Sequence, residues 1–253
     1  MRIEKLSVGY GSNLVLKNVN AVFEPGKLHV LIGQNGCGKS TLLKTCLGVL
    51  ESVQGSIELE GQDIQQMSPV LKAQKIAHVL QKRSIPDMKV MQLVLHGRFS
   101  HMGWPRRYGK EEKEAAQKAL KQLKIADLAG RSLKELSGGQ QQKAYLALAL
   151  CQNTDWILMD EPSAFLDPAS SIELMETSRK LVSEGKTVLM VLHDLPSALE
   201  YGDLISVMDQ GRVIFQGTPD QLLKSGLLER VFKVKAVPAL AEGKTKYVLL
   251  KES

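Results

Sequence analysis

The chain has 253 residues, 43% of them hydrophobic and 24% charged, and a formal net charge of +6. This is the composition of a globular protein; it excludes a disordered, collagenous or disulfide-stapled chain. The longest unbroken apolar run, residues 144–151, is far too short to span a bilayer. Arg2, Glu4 and Lys5 interrupt any apolar leader, so the chain is expected on the cytoplasmic side. Cys37, Cys46 and Cys151 have no metal-type spacing and are expected as reduced thiols, the latter two in the core.

In chain order, residues 3–8, 14–23 and 56–60 read as short strands divided by Gly and Pro. Residues 28–32 are an apolar, strand-like run, and residues 42–50 have helical spacing. Between them lies Gly33-Gln34-Asn35-Gly36-Cys37-Gly38-Lys39-Ser40-Thr41. Strand, glycine loop and helix in this order are the context that the G-x-x-x-x-G-K-[ST] pattern requires. Glycines let consecutive backbone N–H groups turn toward an anion, and the helix points its positive end at the same place. Lys39 adds a point charge for the β- and γ-phosphates, and Ser40 a hydroxyl for Mg²⁺.

Residues 76–80 read as a strand, residues 111–129 and 137–152 as helices, and residues 156–159 and 187–192 as buried strands with a helix over 168–184 between them. Strands return at 205–208 and 213–215, around a turn at Asp209-Gln210-Gly211. The order is therefore a β-rich start, an α/β core, a helical insert over about residues 82–151, and the core again. Charge is unevenly spread: residues 71–110 hold nine Lys or Arg against one acid, Asp87. Such a segment suits nucleic acid, anionic lipid or an acidic partner.

Two further features narrow the nucleotide chemistry. The run 157–159 ends in Asp160 and Glu161. A P-loop strand ending in Asp brings a carboxylate to Mg²⁺, and the next acid can polarise a water. His193 directly follows the strand at 187–192, at the strand end where α/β folds bind ligands.

Residues 136–140 read Leu-Ser-Gly-Gly-Gln. Here the chain resembles the ATP-binding subunits of ABC transporters, whose signature motif is LSGGQ. A Ser followed by glycines opening a helix is a second anion-binding terminus. The resemblance implies an α/β P-loop NTPase core with an N-terminal antiparallel β subdomain and an inserted α-helical subdomain, together one ABC ATPase domain over 1–253. It also implies a head-to-tail homodimer in which Ser137, Gly138, Gly139 and Gln140 act on the ATP bound by the partner chain's loop. By the same resemblance His193 is the switch histidine, Gln81 the Q-loop glutamine that contacts Mg²⁺ and the attacking water, Tyr10 the aromatic that stacks on adenine, and Asp167 the D-loop aspartate.

The finer texture resembles the subfamily that powers uptake of iron-siderophores, haem and vitamin B12. Val94-Leu95-His96-Gly97-Arg98 with Gly103-Trp104, residues 190–195 and Gln216-Gly217-Thr218-Pro219 carry this likeness, as does the Ala-Phe-Leu-Asp form of residues 164–167. Gln141-Gln142-Lys143 depart from it, since Arg is usual at two of these positions. The resemblance implies an ATP- and Mg²⁺-dependent motor of an importer, on the cytoplasmic face of the membrane, with separate permease subunits and, indirectly, an extracytoplasmic binding protein. Catalysis is expected from Glu161, His193, Gln81 and Lys39. A rival reading is an ABC-type ATPase acting on nucleic acid or in export; nucleic acid is not expected, because such relatives usually carry two tandem ATPase units or a long coiled-coil insert.

Overall fold

A computed structural model describes the chain except residues 12, 80–84, 105–106, 165, 242 and 252–253 and the side chain of residue 244. The described strands are β1 (Arg2–Tyr10), β2 (Asn13–Val22), β3 (Leu28–Gly33), β4 (Gln54–Leu59), β5 (Gln62–Asp63), β6 (Ile76–Val79), β7 (Trp156–Asp160), β8 (Thr187–Val191), β9 (Leu204–Asp209), β10 (Arg212–Gly217), β11 (Val234–Ala241) and β12 (Lys244–Lys251). The α-helices are α1 (Lys39–Cys46), α2 (Pro69–Lys75), α3 (Val90–Leu95), α4 (Lys110–Gln122), α5 (Gly138–Cys151), α6 (Pro168–Ser183), α7 (Leu195–Tyr201) and α8 (Pro219–Lys224). The chain forms two compact units, residues 1–67 with 181–253, and residues 68–180. The helical insert read over 82–151 lies wholly inside the second.

In the first unit β3 is the central strand. It pairs in parallel with β8 on one side and β9 on the other, and all six of its residues are buried. A strand flanked by parallel neighbours is covered on both faces, which is why Leu28, Val30, Leu31 and Ile32 form a nearly continuous apolar run rather than an alternation. His29 is fully buried within this run. It sits edge-on to Phe23 at 5.3 Å and contacts the Glu24 carbonyl at 2.8 Å, and burial holds its pKa below the ordinary value. A separate antiparallel sheet runs β2-β1-β4-β5. Gln216 of β10 joins β2 by accepting from Val22 N–H at 2.9 Å and donating to the Val22 carbonyl at 3.2 Å.

The helix at 42–50 is shorter than its spacing suggests and starts earlier. After α1, Gly48 takes φ 66, and Gly48 N–H and Val49 N–H donate back to the Thr45 and Lys44 carbonyls at 2.9 and 3.0 Å. This left-handed stop satisfies the last carbonyls of the helix. The tail forms an antiparallel hairpin, β11 with β12, which the sequence reading left unassigned. Lys246 on β12 is paired with Glu200 on α7.

In the second unit β6 and β7 pair in parallel, Ile76 opposite Trp156 and Val79 opposite Met159. Helices α3, α4 and α5 pack together, burying Val90 and Val94, Ala116 and Leu120, and Ala144, Leu146 and Ala147. A fully buried Leu or Val contributes about 1.5–3 kcal/mol relative to an exposed one. Gln152 ties the end of α5 to the α2–β6 junction, donating to Ala73 and Ile76 carbonyls at 2.5 and 2.9 Å. The helix expected over 111–129 ends at Gln122. Lys124 is left-handed at φ 57, and Lys124 and Ile125 N–H groups donate to Lys121 and Leu120 carbonyls, both at 3.0 Å. This is the same stop as at Gly48, made here with a lysine.

Candidate nucleotide site

The phosphate loop joins β3 to α1 within the first unit. Gly33 ends the strand where a Cβ would lie 2.4 Å from the Met208 carbonyl oxygen of β9, so the close strand pair excludes any side chain. Gly38 is the residue capping α1 at φ 109, a conformation that favours glycine. Gly38 has no side chain to cap the N-terminus of α1, and a helix N-terminus of this kind favours an anion. Lys39, only 5% exposed, curls over the loop and donates from Nζ to the carbonyls of Gly33 at 2.8 Å and Gln34 at 3.0 Å. Gly211 N–H donates to the Cys37 carbonyl at 3.1 Å, bracing the loop with the β9–β10 turn. Gln34 reaches the other way, donating from Nε2 to the Val231 carbonyl at 2.5 Å in the turn Leu228–Phe232. Asn35 and Gly36 are exposed, the latter at φ 78, and Ser40 and Thr41 occupy the first turn of α1.

Cys37 is buried, and burial raises its thiol pKa against the pull of nearby Lys39. Cys46 and Cys151 are also free and buried, their thiols pushed up by burial to about 12 and about 11. All three sit as the sequence reading expected for reduced thiols.

His193 shares the loop's end of the sheet. Because β3 and β8 are parallel, with Leu192 N–H donating to the Leu31 carbonyl at 3.1 Å, both strands deliver their C-terminal ends to one edge. His193 follows Leu192 there and is exposed. Tyr10, at the end of β1, is 53% exposed, available for stacking on a flat ring.

The second unit holds the remaining residues. Asp160 is the last residue of β7 and is buried, 7% exposed. A carboxylate at the end of a buried strand is not explained by helix capping, because the following helix begins only at Pro168. Glu161 comes next with φ 46, a conformation that costs a non-glycine residue about 1–3 kcal/mol and is typical of functional turns. Gln81 and Phe165 lie outside the described residues.

Ser137 caps α5, accepting from Gln140 N–H at 3.3 Å, while the Gln140 side chain accepts from Ser137 N–H at 3.0 Å. This reciprocal pair is a capping box. A Cβ on Gly139 would meet Ser170 Oγ at 2.6 Å, so the signature glycine allows α5 and α6 to approach closely. Ser170 in turn donates from its N–H and hydroxyl to the Asp167 carboxylate at 3.0 and 2.7 Å. These bonds hold the Asp167 pKa below the usual carboxylate range. Sequence reading gave Asp167 a role at a dimer interface; within the single chain it closes the N-terminus of α6, and Ser170, which links it to the signature turn, went unnoticed. Asp-x-x-Ser before a helix was the available signal. Lys143 pairs with Glu173 at 2.8 Å, a second α5–α6 tie.

The ABC transporter family profile matches residues 16–164. The iron(3+)-hydroxamate import ATP-binding protein FhuC of Bacillus subtilis is 36% identical over 92% of this chain and 87% of its own length. The ferric enterobactin transport ATP-binding protein FepC of Escherichia coli is 36% identical over 94% and 88%. Among solved structures, an inward-facing ABC transporter assigned to the metal-chelate type superposes with a TM-score of 0.87 at 26% identity, covering 100% of this chain and 96% of that one. The chain belongs to the ABC transporter family, as one of its ATP-binding subunits. It has the mixed α/β fold of the ATP-binding cassette and the family's activity, ATP hydrolysis coupled to transport. Among the described residues no helix is long and apolar enough to cross a membrane.

Proposed function

We propose that the chain is the motor subunit of an importer for a metal chelate, a ferric siderophore first and haem or cobalamin next, working from the cytoplasmic side of the membrane on separate permease subunits. The import of ferric chelates named for its relatives supports the cargo and speaks against export or nucleic-acid work. The observation that carries the motor reading is the α1 terminus, with Gly38 left-handed, no side-chain cap, and Lys39 poised over the loop.

In this reading the loop Gly33–Gly38 with Lys39, Ser40 and Thr41 cradles the phosphates, and Tyr10 stacks on the base. Lys39 exchanges the Gly33 and Gln34 carbonyls for β- and γ-phosphate oxygens. Among the described residues no cluster of three or more His, Cys, Asp or Glu forms a metal cage. Mg²⁺ is commonly held by one or two protein oxygens plus substrate phosphates. The hard oxygen donors Ser40 and Asp160, with Gln81, would hold it, and it would supply neutralisation of charge on the phosphate oxygens. Glu161 polarises the water whose oxygen attacks the γ-phosphorus. The bond to the β–γ bridging oxygen breaks, ADP leaves, and the water's proton passes to the released phosphate or to Glu161. His193 orients this water and the γ-phosphate. Ser137, Gly138, Gly139 and Gln140 of a second copy close over the nucleotide, with Asp167 at the same homodimer interface.

Uptake of a radiolabelled ferric hydroxamate by cells carrying a Lys39→Ala copy tests the assignment. Abolished uptake with intact expression is expected. Normal uptake of every ferric chelate offered, beside normal ATP turnover, refutes it.

A further inference from the structure

One side chain joins the first turns of α5 and α6. Ser170 of α6 donates from its N–H to one oxygen of the Asp167 carboxylate at 3.0 Å and from its hydroxyl to the other at 2.7 Å. The same side chain lies against Gly139 of α5, where a Cβ would stand 2.6 Å from Oγ and 3.2 Å from Cβ of Ser170. One turn further along both helices Lys143 and Glu173 pair at 2.8 Å, so the two helices meet along a line of two ties. Asp167 also ends a wound segment: Ala164 N–H donates to the Glu161 carbonyl and Leu166 N–H to that of Ser163, both at 3.1 Å. Ser137, Gly138 and Asp167 are exposed, whereas Gly139 and Ser170 are half-buried behind them. All of these residues belong to the second unit.

We propose that Ser170 is a positioning residue for ATP turnover: it clips the signature turn, residues 137–140, to the far end of the segment that starts at Glu161, so that both reach a second copy as one preformed surface. The proposal rests on the homodimer reading above and names the side chain that orders the half of the site lent to the partner's nucleotide. An exposed Asp side chain rotates among its staggered positions unless something holds it. Two donors from one residue remove that freedom from Asp167 before any partner arrives. Side chains already in place need no ordering on association, so a preformed face binds more tightly than a loose one made of the same residues. Capping of α6 alone asks for less. The bond from Ser170 N–H to Asp167 serves the helix end, and the hydroxyl bond is additional to it. What the hydroxyl adds is the link from Asp167 to the turn at Gly139.

Ser170→Ala removes the hydroxyl and keeps the N–H that serves the helix end. In the full chain it should lower kcat for ATP about tenfold, as expected for a lost hydrogen bond to a charged group. The ATP affinity of a single chain, read by calorimetry, should stay unchanged, because the phosphate loop lies in the other unit. Ser170→Thr keeps the hydroxyl and should recover turnover to within about threefold. In a Glu161→Gln background, Ser170→Ala should raise the dissociation constant of the ATP-bound dimer about tenfold, measured by analytical ultracentrifugation. Ser68 accepts from Leu71 N–H at 3.2 Å. Ser68→Ala therefore loosens a helix cap of the same unit and should lower thermal stability with kcat unchanged, which separates positioning from stability. Normal turnover in Ser170→Ala overturns the proposal, as does a parallel loss of single-chain affinity and turnover, or an equal loss in the Ala and Thr variants. A Glu161→Gln chain that stays monomeric with ATP while Ser170 is intact sinks the homodimer reading as well. A Glu161→Gln dimer that Ser170→Ala leaves unchanged removes only this inference.

Discussion

At the start of α1 the residue in the capping position is Gly38 at φ 109, which has no side chain to cap the helix. At the start of α5 the opposite holds: Ser137 and Gln140 exchange backbone and side-chain hydrogen bonds. Both are Gly-rich helix N-termini, and both carry the partial positive charge that attracts phosphate. One has a cap residue without a side chain; the other is capped within its own chain. In the proposed reading this difference divides the labour: the α1 terminus binds nucleotide in a single chain, whereas the α5 terminus, capped within its own chain, meets the phosphate that a second copy brings to it. Binding should therefore belong to one copy and turnover to two.

The strongest way to break this division is Glu161→Gln. It should lower ATP hydrolysis by about 10²–10⁴-fold while leaving ATP bound, so that gel filtration with ATP finds a lasting dimer. A variant that turns over normally, or stays monomeric with ATP, breaks the comparison. Next, Lys39→Ala removes charge-assisted bonds worth about 1.5–3 kcal/mol each, so ATP affinity measured by calorimetry should fall at least about tenfold. Ser137→Ala should act differently. It should leave the affinity of a single chain intact, lower turnover by about tenfold, and reduce thermal stability by about 1 kcal/mol through the lost cap. Equal loss of affinity in both variants would erase the distinction between the two termini. The smallest effect concerns thiols. Cys37 should react with iodoacetamide more slowly than an exposed cysteine but ahead of Cys46, whose thiol is pushed up to about 12, and ATP should protect it. Mass spectrometry showing equal rates with and without ATP would place Cys37 outside the nucleotide's reach.

Much of this was legible in residue order. Buried parallel strands announce themselves by unbroken apolar runs, so residues 28–32, 156–159 and 187–192 were placed within a residue or two. Helix ends were harder. The stop after α4 uses Lys124 in a left-handed conformation, and a lysine gives no turn signal. The stop after α1 uses Gly48, a glycine that the reading of 42–50 as one helical stretch passed over. The site motifs were readable because each side chain's task follows from its type and place. The hydrogen bonds that link them were less readable, since they depend on approach in space: Ser170 beneath Gly139 is 31 positions away in sequence, and Gln34 meets Val231 across 197. The hairpin β11–β12 was missed because its register is fixed by the turn at Gly243, φ 72, and its strands lack a clean apolar alternation.

The bond from Gln34 to Val231 gives the molecule a tether. The cradle is fastened to the segment from which the terminal hairpin springs, so a shift of residue 34 either drags residue 231 along or snaps that link. Cleaving the chain after Lys224 would remove the anchor. A loop so released has more shapes to choose among, and each nucleotide captured must then first recover the order that the tail now supplies without charge.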